Sequence, residues 1–182
     1  MTKYNLEDFI LHDKSIISSD VCDKVISTIN EDRWEKHRWY DAGENNLYSL
    51  DNELDILYND ASEMLRPFVN QSILKYQTIH NQSLVYKHNR IRFNRYSPGQ
   101  MMRKHSDHIR DMFDGKERGI PVLSIVGNLN DDYENGEFKF WDDHVVKLGK
   151  GDIMIFPSTF LYPHQVEPTT RGVRYSFVCW AY

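Results

Sequence analysis

The sequence predicts an α+β fold, with a double-stranded β-helix (jelly-roll) core and N-terminal helices packed on one face of it. Hydrophobic residues follow helical spacing up to about residue 85, whereas the second half carries short β-branched and aromatic runs between glycine-containing turns. A chain of 182 residues suits one domain with a sizeable core. We therefore expect a single domain over residues 1–182, in which 1–85 form a mainly helical support and 86–182 form the jelly-roll catalytic core.

Two segments of the first half carry an apolar stripe at helical spacing. In SSDVCDKVISTIN, capping residues precede a stripe made of Val21, Cys22, Val25, Ile26 and Ile29. In LDNELDILYNDASEMLRPF, the stripe is made of Leu50, Leu54, Leu57, Ala61, Leu65 and Phe68. We expect Pro67 to kink or end this second helix, because proline has no backbone N–H to donate. The segment DFILHD, ahead of the first stripe, predicts a short strand.

The second half predicts a set of short antiparallel strands. Its β-rich runs are NRIRFNRY, IPVLSIVGNLN, GEFKFWD, HVVKL, DIMIFP, PHQVEP and VRYSFVCWAY. The turn signals SPG, ENG, GKGD and TTRG separate them. Short strands with such turns favour a sandwich or barrel whose two facing sheets leave an open mouth, where inward side chains converge.

Composition excludes several classes of protein. The net charge is −5 with no lysine- or arginine-rich tract, which argues against nonspecific nucleic-acid binding as the main role and leaves only a local basic groove open. No stretch reaches the ~18 apolar residues of a membrane span, and MTKYNLEDFILHDKS lacks the apolar run of a signal peptide. Cys22 and Cys179 allow one long-range disulfide, but two cysteines without a CxxC motif are more typical of buried, reduced thiols. We expect a cytoplasmic protein with no membrane or nucleic-acid partner and of unspecified oligomeric state.

The segment RKHSDH places His105 and Asp107 two residues apart, shortly after the turn in YSPG. Residues i and i+2 of an extended chain point to the same side. His164, in YPHQVEP, is the candidate third ligand. Two histidines and a carboxylate on one face of a metal leave the opposite positions open, as in non-haem Fe(II) sites that bind a cosubstrate and O₂. The alternative is a chance His-x-Asp pair on the surface.

Other His/Asp neighbours have no comparable partners, and we interpret His108, Asp111 and the segment 142–144 as solvated surface groups. Near the C-terminus, Arg174 and Ser176 alternate on one face of the last predicted strand. A guanidinium matches a carboxylate in a bidentate geometry, so this pair is a candidate carboxylate clamp. The alternative is an arginine that points outward on an edge strand.

The motifs of residues 88 to 182 together resemble those of Fe(II)/2-oxoglutarate-dependent dioxygenases, and most closely the prolyl-4-hydroxylase-like branch. The resemblance rests on an ordered set of short motifs. They are Tyr96 and Gly99, His105 and Asp107, Leu129 and Asn130, Gly136 and Glu137, Gly151 and Asp152, Phe156 to Ser158, His164 and Val166, and Arg174 and Ser176.

The resemblance implies a role for each matching residue. His105, Asp107 and His164 would hold Fe(II) and form the catalytic centre. Arg174, helped by Ser176, would bind the distal carboxylate of 2-oxoglutarate, and Tyr96 would line the cosubstrate pocket or simply pack in the core.

This sequence departs from the family pattern at two positions. Met102 stands where the family often has an aromatic residue, and Asn128 stands where it often has a tyrosine that reaches the cosubstrate. Asn128 can still donate a hydrogen bond, but its side chain is shorter.

The resemblance also implies an activity. We expect hydroxylation of a C–H bond, with O₂ consumed and 2-oxoglutarate decarboxylated to succinate and CO₂. The substrate expected from this branch is a prolyl or other residue in a peptide or protein. Alternatives are a free amino acid or small-molecule substrate, a catalytically inactive jelly-roll binding protein, and a cupin-like metalloprotein that does not use 2-oxoglutarate.

Two segments are candidate lids over the mouth of the core. DHIRDMFDGKERG is polar and rich in turn residues, and HRWYDAGENNLYSL, near residues 37 to 50, is rich in aromatic residues. Each could equally be an ordinary surface or core segment. Arg92, Trp141 and Tyr162 are candidate substrate contacts.

Overall fold

The computed structural model describes residues 4–30, 32–41, 43–83, 85–107 and 121–182. Its helices are α1 (Ser19–Ile29), α2 (Arg66–Ile79) and two 3-10 helices at Leu6–Phe9 and Asp60–Met64. Its strands are β1 (Leu11–Asp13), β2 (Glu35–Lys36), β3 (Trp39–Asp41), β4 (Asn46–Tyr48), β5 (Asp55–Leu57), β6 (Arg92–Tyr96), β7 (Met102–His105), β8 (Leu123–Asn128), β9 (Glu134–Asn135), β10 (Phe138–Phe140), β11 (His144–Val146), β12 (Ile153–Pro157), β13 (His164–Val166), β14 (Thr169–Arg171) and β15 (Arg174–Ala181).

Two antiparallel sheets form the core. The larger has seven strands in the order β1-β12-β8-β15-β6-β5-β2, and the smaller has four in the order β11-β10-β13-β7. Residues of both sheets share one buried cluster, which includes Val126 and Val178 of the larger sheet and Phe138 and Val166 of the smaller one. The sheets therefore face each other, and the predicted double-stranded β-helix core is confirmed.

The helices cover the other face of the seven-stranded sheet. Val25 of α1 and Val69 of α2 belong to the same buried cluster as Phe177 and Cys179 of β15 and Ile125 of β8. Side chains alternate between the two faces of a strand. The odd-numbered residues of β15 therefore pack under the helices, and its even-numbered residues face the smaller sheet.

The prediction of a second helix over residues 50–68 is wrong. Residues 50–68 instead contain the strand β5 and a 3-10 helix, and α2 begins only at Arg66. Pro67 lies in the first turn of α2, where the missing N–H costs nothing, so this proline starts a helix rather than ending one. The first helix is confirmed as α1, and the strand predicted in DFILHD is confined to Leu11–Asp13 as β1.

The segment to residue 85 is less helical than expected, because it also supplies five short strands. Three of them, β1, β2 and β5, extend the edges of the larger sheet, and β3 and β4 pair as a separate hairpin. Cys22 and Cys179 are buried free thiols, as expected. Among the described residues, no helix combines the length and apolar character needed to cross a membrane.

Candidate active site

His105 and His164 lie opposite each other on neighbouring strands. β13 pairs with β7 in antiparallel register, and the Cα atoms of the two histidines are direct partners. Directly opposed residues of an antiparallel pair place their side chains on the same face. The two imidazole rings accordingly lie with their centroids 4.4 Å apart.

Backbone carbonyls fix the orientation of both rings. Nδ1 of His105 lies 2.8 Å from the carbonyl oxygen of Arg103, and Nδ1 of His164 lies 3.0 Å from that of Tyr162. Because a carbonyl only accepts, Nδ1 is the donor in each of these contacts, which leaves Nε2 of each ring as the nitrogen that can bind a metal. Metal-binding histidines are commonly oriented in this way. Burial lowers the pKa of His164 to about 4, so its ring is neutral near pH 7.

Asp107 follows β7 and turns its carboxylate toward both rings. Its Oδ1 is 3.4 Å from Nε2 of His105, and its Oδ2 is 3.8 Å from Nε2 of His164. The hydroxyl of Ser124 donates to Oδ2 at 2.6 Å. Burial acts to raise the pKa of Asp107, but the two histidines and the bond from Ser124 outweigh it and hold this pKa well below its usual range. The group is therefore an anion ready to coordinate a cation.

The three side chains together form a candidate metal site. One ligand atom from each of His105, Asp107 and His164 lies within 4.8 Å of the others, and His164 and Asp107 are buried. Two imidazole nitrogens and one carboxylate oxygen are the donor set of a facial triad, which fits Fe(II). The segment 142–144 lies apart from this cluster: Asp142 pairs with Lys104, and His144 pairs with Glu7.

A cavity of about 830 Å³ opens in front of the triad. Arg174, Ser176 and Tyr96 line it together with the three candidate ligands. β15 lies between β8 and β6, so the alternative that placed Arg174 on an edge strand is wrong.

Arg174 is 1% exposed, and its Nε and Nη1 have no hydrogen-bond partner among the described residues. The Ser176 hydroxyl, also buried, has none either. Unpaired buried donors are costly, so their presence in the cavity fits an anionic ligand that accepts from them.

Tyr96 and Asn128 occupy different surroundings. Tyr96 is buried, lines the cavity and carries the Arg174 guanidinium 5.0 Å from its ring centroid. Asn128 does not line the cavity, and its amide donates to the carbonyls of Asn130 and Leu148. The contact expected between Asn128 and the cosubstrate does not fit this placement. Met102 is buried at the start of β7 and does line the cavity.

One of the two candidate lids lies over the cavity. The β3–β4 hairpin supplies Trp39, Tyr40 and Tyr48 to the cavity wall, and the Trp39 ring lies edge-on to His105 at 5.5 Å. The other candidate, DHIRDMFDGKERG, lies outside the described residues beyond its first position, as do His108 and Asp111.

Of the three candidate substrate contacts, one lies at the cavity and two do not. Arg92 lines the cavity, whereas Trp141 and Tyr162 do not. The Trp141 indole donates to the carbonyl of Leu161, and the Tyr162 hydroxyl donates to that of Leu6.

Sequence reasoning missed several side chains of the cavity wall, among them two with polar groups. Trp180 and Asn94 both line the cavity. Each follows the strand alternation, Trp180 with Arg174 and Ser176 along β15, and Asn94 with Tyr96 along β6. Extending the period of two from the recognised residues would have identified both.

Comparison with known proteins supports the same chemistry. Residues 91–182 match the family model of the 2OG-Fe(II) oxygenase superfamily. A PKHD-type hydroxylase of Pseudomonas paraeruginosa is 39% identical over 94 residues, which are 48% of this chain and 41% of that protein. Another, from Aliarcobacter butzleri, is 28% identical over 94% of this chain and 77% of its own length. The chain spans about two fifths of the length of the first of these curated relatives.

Solved structures show the same fold at low sequence identity. A prolyl hydroxylase from Trichoplax adhaerens, in complex with a peptide fragment of hypoxia inducible factor, has a TM-score of 0.74 and 14% identity, over 96% of this chain and 83% of that one. A prolyl-4-hydroxylase from Pseudomonas putida has a TM-score of 0.67 and 19% identity, over 95% and 91%. The match of the family model covers the strands that carry the triad and the arginine. The chain therefore belongs to the 2OG-Fe(II) oxygenase superfamily, whose members use Fe(II), 2-oxoglutarate and O₂.

Proposed function

We propose that this protein hydroxylates a C–H bond of a prolyl or other residue in a peptide or protein, using Fe(II) and 2-oxoglutarate. The observation that carries the proposal is the pairing of two features in one cavity: a His-Asp-His triad and a buried arginine whose Nε and Nη1 are unpaired. The first suits a metal that must keep open positions, and the second suits the far carboxylate of a dicarboxylic acid.

Each residue then has a defined task. His105, Asp107 and His164 would hold Fe(II), and the bound iron would supply the oxidation of the C–H bond while 2-oxoglutarate is decarboxylated to succinate and CO₂. Arg174 and Ser176 would donate to the distal carboxylate of the cosubstrate. The buried Tyr96 ring would line the cavity beside Arg174 and exclude water there.

The structural neighbours support a peptide as the substrate. One of them is described in complex with a peptide fragment, and another is a viral collagen prolyl hydroxylase, with a TM-score of 0.65 to this chain. The β3–β4 hairpin forms part of the cavity wall, and we propose that an extended chain would enter beside it. A free amino acid or small molecule is the second candidate, because the cavity of about 830 Å³ would also enclose one.

An anaerobic titration tests the proposal. Fe(II) and then 2-oxoglutarate are added to the metal-free protein, and the weak visible charge-transfer band of the chelate is recorded. We expect His164→Ala to abolish the band and Arg174→Ala to weaken 2-oxoglutarate binding at least tenfold. Matched controls are His144→Ala and Arg90→Ala, whose side chains lie outside the cavity and should leave the titration unchanged.

Air is then admitted in the presence of peptide pools, and succinate and products heavier by one oxygen atom are sought. Iron binding without the band would contradict the role of 2-oxoglutarate and favour a metalloprotein of another kind. Failure to bind iron at all would contradict the proposal as a whole and leave a binding protein with a jelly-roll fold.

A further inference from the structure

Arg92 is a second arginine in the cavity, at a different place from Arg174. On β6, Arg92, Asn94 and Tyr96 alternate toward the cavity, and Arg92 is paired across the sheet with Val178 of β15. Its Nε donates to Oδ1 of Asn94 at 3.1 Å, and its guanidinium carbon lies 5.4 Å from the ring centroid of Trp180. These two contacts hold the guanidinium plane in place and leave its terminal nitrogens available.

No carboxylate neutralises this arginine within the described part of the chain. The ion pairs found there occupy Arg66, Arg90, Arg95 and Arg171. Asp107 acts on Arg92 electrostatically, but it is a candidate ligand of the metal. Asp41, at the exposed rim of the cavity, already accepts from the backbone of Gly43. Arg92 is therefore a partly buried cation without an acid of its own.

Binding of Fe(II) and 2-oxoglutarate does not supply a negative charge for Arg92; this step rests on the function proposed above. The two charges of Fe(II) and that of Arg174 equal the three negative charges of Asp107 and 2-oxoglutarate. Arg38 and Asp41, both exposed at the rim of the cavity, carry opposite charges that cancel in this sum. The charge of Arg92 is left over, in a cavity whose low dielectric makes an unpaired cation costly.

The carboxylate held by Arg174 would lie near Tyr96, whereas the Arg92 guanidinium lies against Trp180. Arg174 is paired across the sheet with Tyr96, four residues along β6 from Arg92. At about 3.3 Å per residue, the two positions are ~13 Å apart along the strand. A second unpaired donor lies at the Arg92 end: Nε1 of Trp180 is buried without a hydrogen-bond partner among the described residues.

We propose that Arg92 and the indole N–H of Trp180 bind a carboxylate of the substrate, so that this enzyme acts on an acid. The carboxylate belongs either to an aspartate or glutamate beside the hydroxylated residue of a peptide or to a free amino acid. An arginine fork combined with an N–H donor suits a carboxylate better than an amide, because the ion pair adds to the hydrogen bonds.

Matched acids and amides test this inference. The protein loaded anaerobically with Fe(II) and 2-oxoglutarate is titrated with two pairs of pools, and the shift of the charge-transfer band is recorded. One pair is the free L-amino acids against their amides; the other is acetylated, amidated pentapeptides with a variable central residue flanked by Asp against the same peptides flanked by Asn. We expect the acidic member of one pair to bind at least tenfold more tightly, and the pair identifies the source of the carboxylate.

Variants assign that preference to Arg92. In Arg92→Gln the acid and the amide should bind with similar affinity, while Arg92→Lys keeps part of the preference. Trp180→Phe keeps an aromatic ring and loses the indole N–H, so the preference should fall about threefold, which gives a second test if Arg92→Gln does not fold. Arg90→Gln, two residues away and outside the cavity, is the matched control and should keep the full preference.

Equal binding of acids and amides by the wild type, or a preference that survives in Arg92→Gln, would overturn the inference. Failure of every acidic probe to bind would overturn it as well. A wild type that shows no charge-transfer band would instead contradict the proposed function, so the two failures are distinguishable.

Discussion

Asp107 carries opposing electrostatic influences within one side chain. Burial favours its neutral form, whereas the neighbouring imidazoles and the Ser124 hydroxyl favour the anion and prevail. Ser124 in turn lies 2.8 Å from the hydroxyl of Ser158, so the carboxylate is oriented by a short chain of hydrogen bonds. A ligand held in this way is already charged and positioned before a metal arrives.

His37 gives a residue-scale prediction about pH. His37 is 7% exposed, and its ring packs edge-on against Trp39 at 4.8 Å. Burial lowers the pKa of His37 to about 3, and the neighbouring Arg92, His105 and Arg103 add to the effect. Below pH ~6.5 the unfolded chain therefore takes up a proton at His37 that the folded protein does not bind, so the free energy of unfolding falls as the pH falls.

We expect His37 to lower the free energy of unfolding by about 2 kcal/mol between pH 7 and pH 5. Urea unfolding of the metal-free protein measures it, and His37→Gln should lose less stability over this interval than the wild type by about that amount. An identical pH dependence for His37→Gln and the wild type would contradict the prediction.

At the scale of the element, β15 joins the two halves of the molecule. Its even residues, from Arg174 to Trp180, line the cavity, while Tyr175, Phe177 and Cys179 pack in the cluster beneath the helices. Any shift of the strand along its neighbours would therefore displace the clamp and the core together. The pairing of Phe177 with Gly127 of β8 is one contact that holds this register.

Gly127 gives a prediction for that strand pair. A Cβ at this position would lie 2.1 Å from the Phe177 ring, so Gly127→Ala should force the ring out of the core. We expect a loss of about 3 kcal/mol in the free energy of unfolding, measured by urea denaturation. Combining Gly127→Ala with Phe177→Leu should cost less than the sum of the single changes, because the smaller side chain makes room. If the losses of the two single variants add up to that of the double variant, the steric explanation is contradicted.

At the scale of the whole molecule, the site spans both sheets. The histidines come from β7 and β13 of the four-stranded sheet, whereas Arg174 comes from β15 of the seven-stranded one. A cosubstrate that contacts both the metal and Arg174 therefore links the two sheets across the cavity. Binding that occurs only in the folded state stabilises it by mass action.

This linkage predicts a metal-dependent thermal shift. Mn(II) serves as a stable substitute for Fe(II) in air, and 2-oxoglutarate at a hundred times its dissociation constant should add about 2.7 kcal/mol. In a chain of 182 residues this corresponds to a rise of about 8 °C in Tm. Calorimetry should show no such rise with 2-oxoglutarate alone, and a smaller rise with 2-oxobutyrate, which lacks the distal carboxylate. Arg174→Ala should reduce the difference in Tm between the protein with 2-oxoglutarate and the protein with 2-oxobutyrate. An unchanged difference would contradict the bridging role of the cosubstrate.

The sequence predicted the fold class and, through the resemblance of its ordered motifs to a known family, the chemistry of the site. His105, Asp107, His164 and Arg174 stand in ordered short motifs, and strand alternation predicted which side chains share a face. The first helix followed from its apolar stripe. Such features are local, because they depend on residues a few positions apart, and a local pattern is visible without the fold.

The tertiary structure decided what depends on distant partners. His105 and His164, 59 residues apart, meet because β7 and β13 pair in one register, and Arg174 is buried because β15 is a central strand. The stripe of residues 50–68 fits a helix by spacing, yet β5 pairs with β6 there, since strand pairing satisfies backbone groups that the local pattern cannot assign. The same kind of pairing brings Arg92 beside Trp180 across the wall of the cavity. Contacts of that kind depend on the complete sheet, because no short stretch of the sequence contains both partners.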